Sequence, residues 1–223
     1  MGRLAETFFN LQVMVQYAPK IAEGTWVTIQ IAVAVVLAGI AAGLLLSVAR
    51  AFNVKPINLL IVLTVDVLRA LPPLVIIIAF YFALPVVGIR MSAWVATWLA
   101  LSLVLMAFSE EIFWAGILAV PKGQWEAARS TGLGFLQTLT AVVLPQAVRL
   151  TIPPLTNRTI AITKNTALGA VVAVGEILYQ AQSAYSFSYN PSPLLLGAAA
   201  YLILFIPVVY FGRWIETRFA WKR

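Results

Sequence analysis

The sequence predicts an all-α integral membrane protein with five transmembrane helices. Of its 223 residues, 62% are hydrophobic and 10% are charged, and the mean hydropathy is +0.94. A soluble domain needs far more polar surface than this. The apolar runs are also continuous, whereas strands of a membrane barrel alternate between apolar and polar residues. Runs near the roughly 20 residues that a spanning helix needs lie at 24–49, 57–84, 92–118, 150–174 and 194–213.

The five runs differ in the polar residues that they carry. The first has no charge, the second holds Asp66 and Arg69, and the third holds Glu110 and Glu111. The fourth contains Pro153–Pro154, which we expect to break the helix. Since a charge at the bilayer centre costs roughly 2.5–3.5 kcal/mol, we expect the charged side chains to face protein or a water-filled path.

The basic residues at the ends of the runs predict the orientation. Lys and Arg concentrate in cytoplasmic connections of membrane proteins. One set of connections holds Arg50, Lys55, Lys122, Arg129, Arg213, Arg218, Lys222 and Arg223, and the opposite set holds Arg3, Lys20 and Arg90. The first set is therefore predicted to be cytoplasmic, with the N-terminus outside and the C-terminus inside.

This orientation defines the expected domain organisation. Residues 1–23 mix apolar and polar positions, which is typical of an amphipathic helix on the outer surface. Residues 24–218 form a single transmembrane domain, within which residues 121–149 make a polar cytoplasmic segment. Residues 219–223 are a basic cytoplasmic tail.

The composition excludes several kinds of chemistry. Cysteine and histidine are both absent, so there is no disulfide framework and the commonest general base and metal ligand is missing. No metal site is expected. The net charge is +7. Its basic residues flank the apolar runs, which favours a role in membrane topology over nucleic-acid binding.

The polar segment, residues 121–149, predicts a helix, a turn and a second helix. Trp125 to Leu136 is expected to be a short helix with Glu126 in its first turn, where a carboxylate favours the helix N-terminus. Gly132 can end or bend that helix, and Pro145 interrupts the next apolar run. The alternative is an ordinary polar loop, but loops of this length without a function are uncommon in compact proteins.

Residues 107–182 resemble the permease subunits of polar amino acid ABC importers. The pattern of that family is matched, in chain order, by Glu111-Ile112, Gly116-Ile117, Pro121-Lys122-Gly123-Gln124, Glu126-Ala127-Ala128-Arg129, Gly132, Gln137-Thr138, Leu144-Pro145-Gln146-Ala147, Arg149, Pro153-Pro154-Leu155, Asn157, Lys164 and Ala181-Gln182. The departures from the pattern cluster near membrane depth, at Arg69-Ala70-Leu71-Pro72, Trp114-Ala115-Gly116 and Lys164-Asn165-Thr166-Ala167.

The resemblance implies one half of an importer pathway in the bacterial inner membrane. It implies a second permease subunit, two cytoplasmic ATPase subunits that bind ATP and Mg²⁺, and an extracytoplasmic binding protein that delivers a polar amino acid. This chain has no GxxxxGK[ST] phosphate loop, so the ATP chemistry is expected in the partner. The residues implied to contact the ATPase are Gln124, Glu126, Ala127, Ala128, Arg129, Gly132 and Pro145.

Polar residues at membrane depth are candidates for lining the substrate path, namely Arg69, Glu111, Asn157, Lys164, Asn165 and Thr166. Each has an alternative as a polar contact between helices. Asp66 and Arg69 are three residues apart and can pair on one helix face. Glu110 and Glu111 are adjacent and point about 100° apart, so at most one faces a narrow path. For Glu111 we favour a structural or gating ion pair.

Two other classes of function compete with this interpretation. The first is a secondary transporter or channel subunit for small polar solutes, which would work without an ATPase. The second is an intramembrane enzyme, for which only Glu110 and Glu111 offer chemistry. Adjacent helix positions diverge and make a poor catalytic pair, so the enzyme is the least favoured class.

Overall fold

The computed structural model describes residues 6–219, and the regular structure in that range is helical, with no strand. The all-α class is therefore confirmed. The helices are α1 (Leu11–Ala51), α2 (Lys55–Ala70), α3 (Pro73–Ile78), α4 (Ala93–Ala119), α5 (Lys122–Ser130), α6 (Phe135–Thr138), α7 (Leu144–Lys164), α8 (Ile177–Ser188) and α9 (Ser192–Phe219). Two π-helical segments, Ala79–Ala83 and Leu139–Val143, and two 3₁₀ segments, Leu84–Val87 and Asn165–Val172, connect them.

The candidate membrane spans agree with the predicted runs in number and order. Within residues 6–219, four helical stretches are long and apolar enough to cross a bilayer: Glu6–Ala51, Ala93–Ala119, Phe135–Val172 and Ser192–Phe219. The pair Lys55–Ala70 and Pro73–Val87 supplies a fifth span when it is taken as one broken helix. The break falls at Pro72, where a residue without an N–H group interrupts the helical ladder.

The segments predicted at the two ends of the chain, residues 1–23 and 219–223, are described only in part. Helix α1 begins at Leu11 and continues through Pro19 into the first span without interruption. Residues 11–23 are thus part of the same helix as the first apolar run, and the outer-surface position of segment 1–23 stays a prediction. Of the predicted basic tail, residues 220–223 lie outside the described residues, as do residues 1–5.

The predicted break at Pro153–Pro154 is wrong. Both prolines lie inside α7, and the helix gives way only at Asn165, where the 3₁₀ segment begins. Membrane helices tolerate proline because neighbouring groups and local changes of helical pitch compensate the lost hydrogen bonds. A similar adjustment accompanies Pro145, which lies two residues after the end of the π-helical segment Leu139–Val143.

The chain divides into two compact units, and the first contains residues 6–36, 71–102 and 162–210 within the described range. Its buried polar centre lies where α8 begins. The Glu176 carboxylate is fully buried and accepts hydrogen bonds from the Tyr179 N–H, at 2.8 Å, and from the Tyr201 hydroxyl. The buried Thr28 hydroxyl accepts from the Ile177 N–H at 3.4 Å. These bonds satisfy N–H groups that the first turn of a helix leaves free.

The second unit contains residues 37–70, 103–161 and 211–219 of the described range. Helices α1 and α4 approach closely in it, because a Cβ added to Gly43 would lie 2.5 Å from the Ser109 Cβ. The second unit also holds the polar segment, and its apolar core there consists of Ile117, Val120, Leu139, Val143 and Ala147.

Candidate functional site

The short helix of the polar segment is α5, and a glycine turn ends it. Helix α5 runs from Lys122 to Ser130, so the predicted helix from Trp125 to Leu136 is wrong at both ends. The helix starts directly after Pro121, which is its N-cap. At the other end the cause is Gly132, which has φ +89° and whose N–H donates to the Arg129 carbonyl at 3.0 Å. Residues other than glycine rarely adopt a backbone conformation with positive φ.

One face of α5 is anchored to the core of the second unit. Ala128 is buried, at 8% exposure. The Trp125 ring stacks on Phe135 beyond the turn, with 5.8 Å between the ring centroids, and both rings pack against the apolar core of this unit. The helix is therefore held in a defined orientation by apolar contacts on its inner side.

The opposite face of α5 is open to a partner. Of the residues implied to contact the ATPase, six are exposed: Gln124, Glu126, Ala127, Arg129, Gly132 and Pro145. The seventh, Ala128, packs inward instead. Within the described residues neither Glu126 nor Arg129 forms an ion pair, so charges of both signs are available on this face.

A hydrogen bond links α5 to the start of α7. The Gln146 side-chain amide donates to Gln124 Oε1 at 3.3 Å and to the Val142 carbonyl at 2.7 Å. The second acceptor lies in the π-helical segment, where the widened turn frees carbonyl groups from the regular α-helical pattern. Gln146 was part of the sequence pattern, but this bridging contact depends on the tertiary structure.

Glu110 and Glu111 bind two arginines on different helices. Glu110 is fully buried and receives Arg50 Nη1 at 3.0 and 3.3 Å on its two oxygens. The Arg50 guanidinium also lies 4.6 Å from the centroid of the Trp114 ring. Glu111 points elsewhere and meets Arg69 Nη2 at 2.6 Å. The predicted divergence of the two glutamates is thus observed, and each ties α4 to another helix.

A second contact set surrounds Phe108, one turn before Glu111. The Arg158 guanidinium lies 3.6 Å from the centroid of the Phe108 ring, and the Arg69 guanidinium lies 5.4 Å from it. Arg69 also reaches Asp66 at 3.9 Å, which agrees with the predicted pairing. Arg158 was expected, with the other charges in the apolar runs, to face protein or a water-filled path, but it was not among the residues predicted to line the substrate path. The signal that could have found it was its charge inside an apolar run without an acidic residue at helical spacing.

The other predicted path residues are distributed between the two units. Asn157 is exposed on α7 in the second unit. Lys164, Asn165 and Thr166 belong to the first unit, where α7 changes to the 3₁₀ segment. Lys164 is exposed, whereas Thr166 is buried and its hydroxyl donates to the Thr163 carbonyl at 2.9 Å. Among the predicted residues, direct contact is observed between Arg69 and Glu111.

The spans, the ion pairs inside them and the exposed helix between two spans define the chain as a polytopic membrane-transport subunit. Residues 34–221 match the family described as the binding-protein-dependent transport system inner membrane component. The chain belongs to this family, because the match covers most of its length.

Curated relatives align over nearly the whole chain. A protein described as the probable amino-acid ABC transporter permease protein YckA of Bacillus subtilis (strain 168) is 33% identical over 217 residues, covering 96% of each chain. The probable glutamine ABC transporter permease protein GlnM of the same strain is 32% identical over 210 residues, covering 94% of this chain and 97% of the relative.

Solved structures share the fold. One described as an amino acid ABC transporter with histidines matches with a TM-score of 0.83 and 30% identity, over 92% of this chain and 96% of that chain. An inward-facing structure of the MetNI methionine ABC transporter matches with a TM-score of 0.70 and 20% identity, over 90% of this chain and 96% of that chain. The second likeness concerns the fold alone.

Proposed function

We propose that this chain is one permease subunit of an ATP-driven importer that carries polar amino acids across the bacterial inner membrane. Membership of the family and the amino-acid transport named for its relatives support this proposal. The observation that carries it is helix α5, which is anchored on its inner face and exposes Glu126 and Arg129 on its outer face.

The proposed complex contains subunits that this chain does not supply. Two cytoplasmic ATPases bind ATP and Mg²⁺, a second permease subunit completes the pathway, and an extracytoplasmic binding protein delivers the amino acid. The positive-inside pattern supports a cytoplasmic α5, with the N-terminus outside and the C-terminus inside. A cavity of about 500 Å³ just before the start of α5, lined in part by Pro121, Gln146 and Arg149, supports docking of a partner beside the polar segment.

In this proposal, displacement of α5 couples closure of the ATPases to movement of the spans. When the ATPases close on ATP, they displace the exposed face of α5. Trp125 and Ala128 transmit the displacement to the apolar core, and Gln146 transmits it to the start of α7. The spans then exchange outward-open and inward-open arrangements. The Arg69–Glu111 ion pair acts as a gate on the path, which Asn157 of the same unit also lines.

Isolation of the native complex tests the composition. The chain is purified with an affinity tag from its own cells, and the proteins that accompany it are identified by mass spectrometry. An ATPase with a phosphate loop and an extracytoplasmic binding protein are expected. The complex is then placed in proteoliposomes, and uptake of radiolabelled L-amino acids is measured with and without ATP. Uptake that is driven by an ion gradient and is independent of ATP would contradict the proposal.

Charge changes on α5 and in the turn after it test the coupling role. Glu126→Lys and Gly132→Asp are expected to abolish ATP-dependent uptake or assembly with the ATPase while membrane insertion is retained. Glu216→Lys provides a matched control, because it makes the same charge change on α9 at the predicted cytoplasmic end. Normal uptake by both Glu126→Lys and Gly132→Asp would exclude a coupling function for this helix and its turn.

A further inference from the structure

A cavity of about 500 Å³ lies in the second unit, where α4 ends and α5 has not yet begun. Helices α4 and α7 pack closely one turn before it, because a Cβ added to Gly116 would lie 3.0 Å from the Ala147 carbonyl oxygen. The cavity opens just beyond this contact. Its lining comes from the end of α4, the connection to α5 and one face of α7, and consists of Ala119, Val120, Pro121, Gln146, Arg149 and Leu150.

The walls of the cavity are mainly apolar and adjoin the core of the second unit. Four of the six lining residues are apolar, and one of them, Val120, is a member of that core with 4% exposure. The candidate span Ala93–Ala119 ends at the cavity. The cavity thus lies where a spanning helix leaves the hydrocarbon layer, which is the depth at which lipid headgroups meet their acyl chains.

Arg149 places a positive charge on the cavity wall. The side chain is exposed, and no ion pair among the described residues includes it. None of the residues that line the cavity is acidic. Lys122 follows directly on Pro121, and the polar segment 121–149 contains three basic residues and one acidic residue. This end of the span therefore has an excess of positive charge that attracts an anion.

The volume and the walls of the cavity distinguish between kinds of anion. Pockets that enclose small organic ligands measure roughly 300–1,000 Å³, so the cavity has room for an organic headgroup. A single phosphate ion would leave the apolar walls unfilled. A zwitterionic headgroup would bring its ammonium group close to Arg149 and Lys122, which repel it. None of the residues implied to contact the ATPase lines the cavity, which favours a lipid over a protein partner.

We propose that this cavity binds an anionic glycerophospholipid of the cytoplasmic leaflet. Arg149 donates to the phosphate oxygens, which a guanidinium matches in two parallel hydrogen bonds, and the glycerol and first methylene groups contact Val120 and Leu150. Basic pockets between transmembrane helices at the cytoplasmic side bind anionic headgroups in the same way. The lipid braces the core against which Trp125 packs. The site goes beyond the proposed function and does not depend on the solute that is carried.

The test measures lipid binding to the native complex, purified through the tagged full-length chain in a mild detergent. Native mass spectrometry follows the binding of phosphatidylglycerol. Phosphatidylcholine with the same acyl chains is the zwitterionic comparison, and inorganic phosphate is the competitor. Arg149→Gln removes the charge, Arg149→Lys keeps it, and Ala119→Phe narrows the cavity without a change of charge. Arg213→Gln makes the same change at an exposed arginine of α9 outside the cavity and is the matched control.

Wild type is expected to bind phosphatidylglycerol in preference to phosphatidylcholine. Arg149→Gln should weaken the apparent affinity for phosphatidylglycerol about fivefold or more, since one basic residue is lost at the headgroup. Arg149→Lys should fall between wild type and Arg149→Gln. Ala119→Phe should weaken the binding of phosphatidylglycerol although every charge is retained, and Arg213→Gln should bind like wild type.

Four results would overturn the proposal. The first is equal binding of the two lipids by wild type, and the second is wild-type affinity for phosphatidylglycerol in Arg149→Gln. If that variant also loses its accompanying subunits, Arg149 contacts a partner protein instead. The third is weakened binding in Arg149→Gln but not in Ala119→Phe, which would place the lipid on an open surface. The fourth is displacement of the lipid by inorganic phosphate, which would indicate a site for the free ion.

Two features keep the test decisive. If Arg149→Gln does not fold, Ala119→Phe decides: wild-type affinity for phosphatidylglycerol in that variant overturns the proposal, and weakened affinity supports it. Lipid binding is measured without uptake or ATP hydrolysis. Failure of the proposed function would therefore appear in the uptake experiment and leave the lipid result unchanged.

Discussion

Arg50 and Glu110 form an ion pair in which the carboxylate is fully buried and both of its oxygens face the same guanidinium nitrogen, at 3.0 and 3.3 Å. The pair joins the last turn of α1 to the C-terminal half of α4. Because Glu110 has no exposure to water, replacing one partner of the ion pair should lower the stability of the protein more than replacing both.

Removal of Arg50 alone should therefore destabilise the protein strongly. Arg50→Gln is expected to lower the free energy of unfolding by about 3–5 kcal/mol, since it leaves an uncompensated buried carboxylate. The double variant Arg50→Gln/Glu110→Gln should recover part of this loss. The measurement is denaturant unfolding in detergent micelles. Lys20→Gln is the control, because the Lys20–Glu23 pair has 60% exposure on both sides and should contribute at most about 1 kcal/mol.

Gly132 provides a prediction about the turn after α5. Gly132→Ala should cost about 1–2 kcal/mol from the left-handed backbone alone, since the added Cβ would meet no atom within 4 Å. Gly134→Ala should be nearly neutral, because Gly134 has φ −66°. Gly132→Asn should lose less than Gly132→Ala, as asparagine tolerates this conformation. Thermal unfolding of the three variants checks the order, and equal losses at both glycines would contradict the strain argument.

The bridge between Gln146 and Gln124 makes a third prediction. Gln146→Leu should weaken the coupling of ATP hydrolysis to uptake, because α5 loses its polar contact with the start of α7. The stability cost should be near 1 kcal/mol. A double-variant cycle with Gln124→Leu separates the bridge from the bond to Val142. If the uptake per ATP hydrolysed is unchanged in Gln146→Leu, the bridge does not transmit motion.

The close approach of α1 and α4 predicts sensitivity at Gly43. In Gly43→Ala the new Cβ would lie 2.5 Å from the Ser109 Cβ and 2.8 Å from the Met106 carbonyl oxygen. The backbone contact cannot be relieved by a change of rotamer, so we expect a loss of about 1–3 kcal/mol. Gly123→Ala on α5 is the control, since its Cβ would meet nothing within 4 Å. Unfolding of both variants in detergent provides the comparison.

Parts of the site were predictable from the sequence because they follow from local geometry. Adjacent helical residues point about 100° apart, so Glu110 and Glu111 had to meet different neighbours. The Asp66–Arg69 contact follows from their spacing of three residues. The boundaries of α5 were not predictable in the same way, because several residues from Thr131 to Gly134 could have ended the helix. The observed end is set by the positive φ of Gly132, and Trp125 and Phe135 stack across the turn that follows.

The sequence by itself determined the all-α class and the number and order of the spans. A run of about 20 apolar residues is a local property that is sufficient to cross a bilayer. Only the tertiary structure decided which charges pair. Arg50 lies 60 residues from Glu110, and Arg158 and Arg69 come from different helices to the one ring of Phe108. Such pairings depend on how the helices pack, which no local pattern of residues specifies.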